Sequence, residues 1–114
     1  MLLYEWKGIR ILFETNSRFA TRGITEELDF RLQIILWGLI NELLESNKIK
    51  VDYLQVFELS NVGIGIKIVH HQEVPPYQNE ILIHRNDIKL PINHVKIFVI
   101  DDGTYSVMML ADDY

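Results

Sequence analysis

The apolar residues follow two different periods along this chain, first a helical period and then one that is typical of strands. From Thr25 to about Ser46 they recur every three or four residues, so that they line one face of a helix. After Val51 nearly every apolar run alternates in the way that strands do. One helix followed by strands predicts an α+β fold, with one long helix packed on an antiparallel sheet.

Capping signals mark both ends of the predicted helix. The hydroxyl of Thr25 can accept a hydrogen bond from a first-turn N–H, and the acidic residues Glu26, Glu27 and Asp29 complement the positive end of the helix. After Ser46, Asn47 can adopt the left-handed conformation that ends many helices. The predicted buried stripe consists of Leu28, Leu32, Ile35, Leu36, Leu39, Ile40 and Leu43.

The second half of the chain predicts about five strands built from two hairpins. Residues 51–60 and 66–74 form the first hairpin around the glycine-containing loop 61–65, and Pro75 and Pro76 end its second strand because proline cannot donate to the ladder. The remaining predicted elements are a short strand at 80–84 and a second hairpin, 94–101 with 104–111, around the two-residue turn Asp102-Gly103.

The second hairpin is apolar on both faces, which predicts that both faces are covered. With a two-residue turn, Phe98 and Ile100 share one face with Val107, whereas Ile97 and Val99 share the other face. A single helix covers only one of these faces. The other face is then covered by the N-terminal segment, by curvature of the sheet or by a second subunit, and the last option makes a homodimer one hypothesis.

Composition and charge narrow the class of protein. The 114 residues include no cysteine, and their net charge is −5. This length suits one domain, and the lack of cysteine excludes disulfides and cysteine-ligated zinc. All of the excess negative charge lies beyond residue 31, which argues against nucleic acids and anionic membranes as partners. Glu5, Lys7 and Arg10 interrupt the apolar start of the chain, so we interpret the protein as cytoplasmic and without a signal peptide.

The first residues are ambiguous in this interpretation. Residues 1–16 form an N-terminal extension, and residues 17–114 form a single α+β domain. The extension either adds a strand or does not belong to the native protein. In the second case translation begins at Leu12, and residues 1–11 come from a start codon that was assigned too early.

Histidines near the predicted sheet are the first candidates for a metal site. Neighbours on a strand point to opposite faces, so His70 and His71 cannot both ligate one ion. His71 and Glu73 share a face, and His84 can approach from another strand, but this spacing matches no known metal motif. The alternative is that these side chains lie on the exposed face of a half-buried hairpin. His71, Glu73 and His84 are therefore weak candidate ligands, and no cofactor is predicted.

Two arginines precede the predicted helix. The helix N-terminus beside Arg18 and Arg22 can hold an anion, although the segment lacks the repeated glycines of a phosphate loop. The alternative is that Arg22 pairs with an acidic residue of the sheet and Arg18 lies at the surface. No hydroxyl stands in a Gly-x-Ser-x-Gly context, so no catalytic residue is predicted.

Four blocks of sequence together resemble a known family. They are residues 18–24 (RFATRGI), 52–59 (DYLQVFEL), 71–77 (HQEVPPY) and 96–105 (KIFVIDDGTY). This combination is similar to the domain of unknown function 960 family, small uncharacterised proteins of low-GC Gram-positive bacteria. The resemblance covers roughly residues 17–114. It implies a cytoplasmic single domain, and it brings no catalytic or binding residues.

The sequence favours a non-enzymatic module that binds or regulates a protein partner, because both faces of its second hairpin are apolar and its polar residues do not converge on one site. The alternative is a small enzyme, or a protein that binds an anion or metabolite, with a cleft near Arg22, Glu58, His71 and Glu73.

Overall fold

A computed structural model describes residues 12–114 as an α+β fold, in which a six-stranded mixed sheet carries one main helix. The helices are α1 (Arg22–Glu27) and α2 (Phe30–Ser46), and two 3₁₀ turns occupy Thr15–Ser17 and Ala111–Asp113. The strands are β1 (Arg18–Ala20), β2 (Leu54–Val62), β3 (Gly65–Gln72), β4 (Tyr77–Ile83), β5 (His94–Asp101) and β6 (Ser106–Leu110).

The sheet has the order β1-β6-β5-β2-β3-β4, and it differs in detail from the five antiparallel strands that the sequence predicts. The additional strand is β1, which pairs in parallel with β6 and sets Phe19 beside Val107. All other neighbours pair antiparallel. A strand of three residues is too short to show an alternating pattern in the sequence, which is why β1 is not predicted.

The predicted helix begins differently in the structure, because a break separates α1 from α2. The hydroxyl of Thr21 accepts from Ile24 N at 3.4 Å and caps α1. The carboxylate of Asp29 accepts from Arg31 N at 2.9 Å and caps α2. The prediction of Thr25 as the N-cap is therefore wrong: Thr25 lies inside α1. The apolar spacing hides the break, because Ile24 in α1, Leu28 in the break and Leu32 in α2 follow one another at intervals of four residues.

The end of the helix is confirmed. Asn47 follows Ser46 in the left-handed conformation, with φ of 54°. Of the predicted stripe, Leu28, Leu32, Leu36, Ile40 and Leu43 are buried, and Ile35 and Leu39 are half-buried against the same core.

The turn between β5 and β6 is longer than predicted. Asp101 pairs with Ser106, so residues 102–105 connect the strands. The carboxylate of Asp102 accepts from the backbone N–H groups of Thr104 and Tyr105 at 2.8 and 3.0 Å and organises this loop. Pairing therefore shifts by two residues from the predicted register. A shift of two keeps every side chain on its face.

The predicted faces of this hairpin are consequently confirmed. Phe98 pairs with Met109, and Ile100 pairs with Val107, so all four side chains lie on one face of the sheet. The opposite face carries Ile97, Val99 and Met108, which are buried in the core beneath α2.

The core lies between α2 and this second face of the sheet. Phe57, Leu59, Ile66 and Ile68 from β2 and β3 pack in it with the buried stripe of the helix. Phe13 is 1 % exposed and belongs to the same core, although it precedes β1. The predicted extension 1–16 thus lies partly within the fold, and its residues 1–11 are outside the described residues.

Candidate functional site

The face of the sheet that points away from α2 carries a group of apolar side chains, which we call the apolar patch. It consists of Phe19, Phe98, Ile100, Tyr105, Val107, Met109 and Tyr114.

Two aromatic pairs organise the apolar patch. The rings of Phe19 and Tyr105 meet edge to face with centroids 5.4 Å apart, and those of Phe98 and Tyr114 do so at 5.6 Å. This is the geometry that aromatic pairs prefer. The pairs link β1 to the loop before β6, and β5 to the C-terminal residue. They therefore fix four large side chains in one surface.

Most of these aromatic rings are open to solvent. Phe19 is 56 % exposed, Tyr105 40 % and Tyr114 82 %. Single exposed apolar residues are common, but a group of neighbouring aromatic side chains is typical of a surface that binds another molecule.

Acidic residues surround the apolar patch on two sides. Asp102 is exposed in the loop that ends at Tyr105, and Asp112 and Asp113 immediately precede Tyr114. Lys96 also borders the patch, with Nζ 5.8 Å from the centre of the Phe98 ring. These described residues give the border three carboxylates and one ammonium group.

The same face of the sheet becomes polar towards β3. There Glu58 on β2 lies between two histidines: His71 Nε2 is 3.0 Å from Glu58 Oε2, and His94 Nε2 is 3.5 Å from Glu58 Oε1. The two histidines approach different oxygens of one carboxylate. Glu58 therefore links β3 and β5 across β2.

The structure separates the predicted metal ligands. His71 is engaged with Glu58, Glu73 is exposed after the end of β3, and His84 is exposed after the end of β4. Within residues 12–114, no group of three or more histidine, aspartate or glutamate side chains is arranged to hold a metal ion.

The two arginines of the predicted anion site have different environments. The Arg18 guanidinium donates to the carbonyl of Phe13 at 2.8 and 3.0 Å and to Oδ1 of Asn41, and it stacks 4.7 Å above the Trp37 ring. Burial lowers the pKa of Arg18 from its ordinary value. Arg22 is exposed and pairs with Glu26 at 3.1 Å.

The residues of the predicted cleft are distributed over the molecule. Glu58 and His71 meet on the sheet, as described above, whereas Arg22 begins α1, which packs beside β6. None of three clefts found within residues 12–114 is lined by Arg22, Glu58, His71 or Glu73.

A buried polar network on the helix side of the sheet was missed by the sequence reasoning. His70 is 2 % exposed, stacks on Phe57 with centroids 4.4 Å apart, and places Nε2 2.7 Å from Gln55 Oε1. Gln55 Nε2 donates in turn to Gln72 Oε1 at 2.7 Å. Burial, and then the charge of His71, lower the pKa of His70 to about 4.

The alternation of side chains along β3 could have shown that His70 is buried. His70 follows Ile66 and Ile68 at every second position, which places all three side chains on the buried face of β3. The expectation that the histidines of this hairpin lie on its exposed face is thus wrong for His70.

Fold and site together define a small α+β domain with a mixed sheet, one covered face and one face that carries an apolar patch. Within residues 12–114, no helix is long and apolar enough to cross a membrane. The chain belongs to the family described as "Staphylococcal protein of unknown function (DUF960)", which matches residues 17–113. This finding confirms the resemblance that the four sequence blocks indicate.

A solved structure has a similar fold. It is described as the crystal structure of the protein of unknown function from Enterococcus faecalis, and its TM-score is 0.75. The match covers 93 % of this chain and 98 % of that chain at 22 % sequence identity. At this identity the likeness shows the fold alone. The chain matches no curated protein, and the function of both the family and the structural neighbour is unknown.

Proposed function

We propose that this protein is a non-enzymatic cytoplasmic module that binds a protein partner through the apolar patch. The observation that carries the proposal is the pair of edge-to-face contacts, Phe19 with Tyr105 and Phe98 with Tyr114, on a sheet face that α2 does not cover. Rigid aromatic side chains supply contact area at a low entropic cost, and they are enriched where proteins bind one another.

The charges around the patch indicate the kind of partner. Asp102, Asp112 and Asp113 border it, and the whole chain has a net charge of −5. A partner that presents apolar side chains bordered by lysine or arginine complements this surface. The proposed partner is therefore a different protein with a basic border around its apolar contact.

A second copy of the chain fits this surface less well. A symmetric dimer places the same surface on both subunits, so the acidic border of one copy would face that of the other. Like charges that meet in this way weaken association. The homodimer that the two-sided hairpin suggests is accordingly the competing hypothesis.

Photo-crosslinking in cells tests the proposal. A photoreactive amino acid replaces Tyr105 in one variant and Glu45, which is exposed on α2, in a matched control. We expect a crosslinked species from position 105 that contains one copy of this chain and one copy of another protein. Position 45 should not give that species.

Binding of the purified partner then completes the test. Phe19→Ser and Tyr105→Ser should each weaken binding by at least about tenfold, since aromatic anchors dominate such interfaces. Glu45→Ser should bind as the unaltered protein does. Crosslinking of position 105 only to a second copy of this chain would replace the proposal with the homodimer, and equal crosslinking from both positions would refute it.

A further inference from the structure

Within residues 12–114, no strand pairs with the outer edge of β4, which lies at the opposite end of the strand order from β1. β4 runs from Tyr77 to Ile83, and its one partner in the described part of the chain is β3. Natural proteins protect edge strands with charged side chains, proline, bulges or short length. β4 contains seven residues with no proline and one charged side chain, Glu80, and it pairs with β3 without interruption. The other edge strand, β1, has only three residues.

Two clefts lie between this edge strand and α2. The apolar cleft, of about 430 Å³, is lined by Ile34 and Ile35 of the helix, by Leu82 and Ile83 of β4, and by Ile88. The polar cleft, of about 240 Å³, is lined by Glu42 of the helix, by Tyr77 and Asn79 of β4, by His70 and by Lys48. The helix and the edge strand thus form the two walls of both clefts.

The spacing of the clefts matches the repeat of an added strand. Ile83 lines the apolar cleft and Asn79 lines the polar cleft, and these residues are four apart on β4. Residues four apart on a strand point to the same face, and they are separated by about 13 Å. A strand paired with β4 would therefore direct side chains i and i+4 into the two clefts.

Gly38 lies on α2 between the residues that line the two clefts. It follows Ile34 by one turn and precedes Glu42 by one turn. Glycine inside a helix costs about 1 kcal/mol relative to alanine. A Cβ at this position would have no neighbour within 4 Å, so packing within the protein does not require glycine. The backbone of a bound peptide, in contrast, can approach closely where a side chain is missing.

His70 gives the polar cleft an acceptor. Gln55 donates through its amide nitrogen to Gln72 Oε1 and to the carbonyl of Asp52, so its oxygen accepts from His70 Nε2. In the neutral ring the other nitrogen, Nδ1, is then an acceptor. Within residues 12–114 the side-chain hydrogen bonds of His70 involve only Nε2. Ser106 Oγ is the one buried side-chain atom in that range without a partner, so Nδ1 is open to the polar cleft that His70 lines. A ligand with a donor group would satisfy it.

We propose that an extended segment of another protein adds as an antiparallel strand to the free edge of β4, with an apolar side chain in the apolar cleft and a hydrogen-bond donor in the polar cleft four residues later. Backbone hydrogen bonds supply affinity in this mode of recognition, and the clefts supply specificity. The negative charge of Glu42 and the positive charge of Lys48 offset each other in the polar cleft. The donor therefore serves the neutral acceptors, His70 and Asn79.

A second copy of β4 is a poorer occupant of this edge. Glu80 is the central residue of β4, so symmetric antiparallel pairing of two whole strands places the two Glu80 carboxylates together. Like charges directly opposite each other destabilise a strand pair.

Selection from a phage-displayed library of random peptides tests the proposal. We expect selected peptides to share an apolar residue followed four positions later by a donor such as lysine, asparagine or threonine. Hydrogen–deuterium exchange should then show slower exchange in residues 77–83 when a selected peptide is added. Gly38→Leu should weaken binding by at least about tenfold, without lowering the melting temperature.

The matched control is Glu26→Leu, which adds the same leucine to the exposed surface of α1, outside the clefts. It should bind the peptide as the unaltered protein does. The proposal is overturned if no peptide is selected, if Gly38→Leu binds normally, or if the peptide protects the strands around Phe98 and Val107 and leaves β4 unchanged. The last result would assign peptide binding to the apolar patch.

Discussion

The backbone N–H of Phe13 donates a hydrogen bond of 2.8 Å to Oδ2 of Asp101, across 88 positions of sequence. Both residues are buried. The bond attaches the chain before β1 to the end of β5, and Arg18 holds the carbonyl of the same residue. Both backbone polar groups of Phe13, its N–H and its carbonyl, are therefore hydrogen-bonded to side chains, and its ring lies in the core.

Asp101→Ala should destabilise the fold by about 2 to 4 kcal/mol. The substitution leaves the buried N–H of Phe13 without its acceptor, and an unsatisfied buried group of this kind is costly. The same carboxylate also accepts from Gly103 N at 2.9 Å. Urea denaturation measures the change as a lower midpoint at an unchanged slope.

Asp102→Ala is the control for this prediction. Its carboxylate also accepts two backbone hydrogen bonds, but in an exposed loop where water can replace them. We expect a loss of at most about 1 kcal/mol. An equal decrease in the free energy of unfolding for both variants would show that burial of the hydrogen bond to Phe13 adds nothing to stability.

Gly65→Ala should prevent normal folding or cost more than about 2 kcal/mol. Gly65 has φ of +156°, and an added Cβ would lie 1.8 Å from the carbonyl oxygen of Ile83. Neither the backbone of β3 nor that of β4 can yield at this distance without breaking their pairing. Thermal unfolding, or the yield of folded protein, measures the effect.

Gly63→Ala in the same turn is the matched control. A Cβ there meets nothing within 4 Å, so the melting temperature should stay within a few degrees of the unaltered value. A similar loss at both glycines would mean that turn flexibility, rather than the close approach to Ile83, requires glycine.

The pH dependence of stability should contain a contribution from His70. Burial lowers the pKa of the folded residue to about 4, against 6.5 for the ordinary side chain. Between these values the unfolded chain binds a proton that the folded chain does not bind. The free energy of unfolding therefore falls as the pH falls from 6.5 to 4, by up to about 1.4 kcal/mol per pH unit and about 3 kcal/mol in total.

Comparison with His70→Gln isolates this contribution. Glutamine can still donate to Gln55 but does not titrate, so its curve should lack this fall between pH 6.5 and 4. Acidic residues contribute equally to both proteins and cancel in the difference. Parallel curves for the two proteins would contradict the buried, neutral state of His70.

Arg18→Lys should lower the free energy of unfolding by about 1 to 2 kcal/mol, since lysine lacks the planar guanidinium that contacts Phe13, Asn41 and the Trp37 ring. Arg22→Ala is the control: it removes an exposed pair with Glu26 and should leave the unfolding midpoint unchanged.

The anion site at these two arginines stays a prediction. If it exists, phosphate should raise the melting temperature of the unaltered protein more than that of Arg22→Ala.

The sequence predicted those parts of the fold that depend on the spacing of apolar residues and on the alternation of side chains between the two faces of a strand. The faces of β5 and β6 are correct despite the wrong turn, because a shift of two residues preserves them. The cap at Asn47 is correct because few residues adopt its backbone conformation readily. Short or purely tertiary features were missed. β1 is only three residues long and depends on pairing with β6, and the break at Asp29 interrupts no apolar period.

The candidate site was predictable to a smaller extent. Alternation in the second hairpin identified Phe98, Ile100 and Val107 as an apolar face that needs a cover. The contribution of Phe19 depends on the parallel pairing of β1, and that of Tyr114 depends on where the last turn places its ring. No local pattern encodes either contact. The same holds for the apolar and polar clefts, which form only because α2 lies beside β4.

The central claim is that the apolar patch is covered by another protein in the cell, and hydroxyl-radical footprinting tests it most directly. Labelling of Phe19, Tyr105 and Met109 is compared between intact cells and dilute purified protein, with Ile64 in the turn between β2 and β3 as the exposed reference outside the patch and outside both clefts. We predict weaker labelling of the three patch residues in cells and unchanged labelling of Ile64. Equal labelling of the patch in both samples would contradict it.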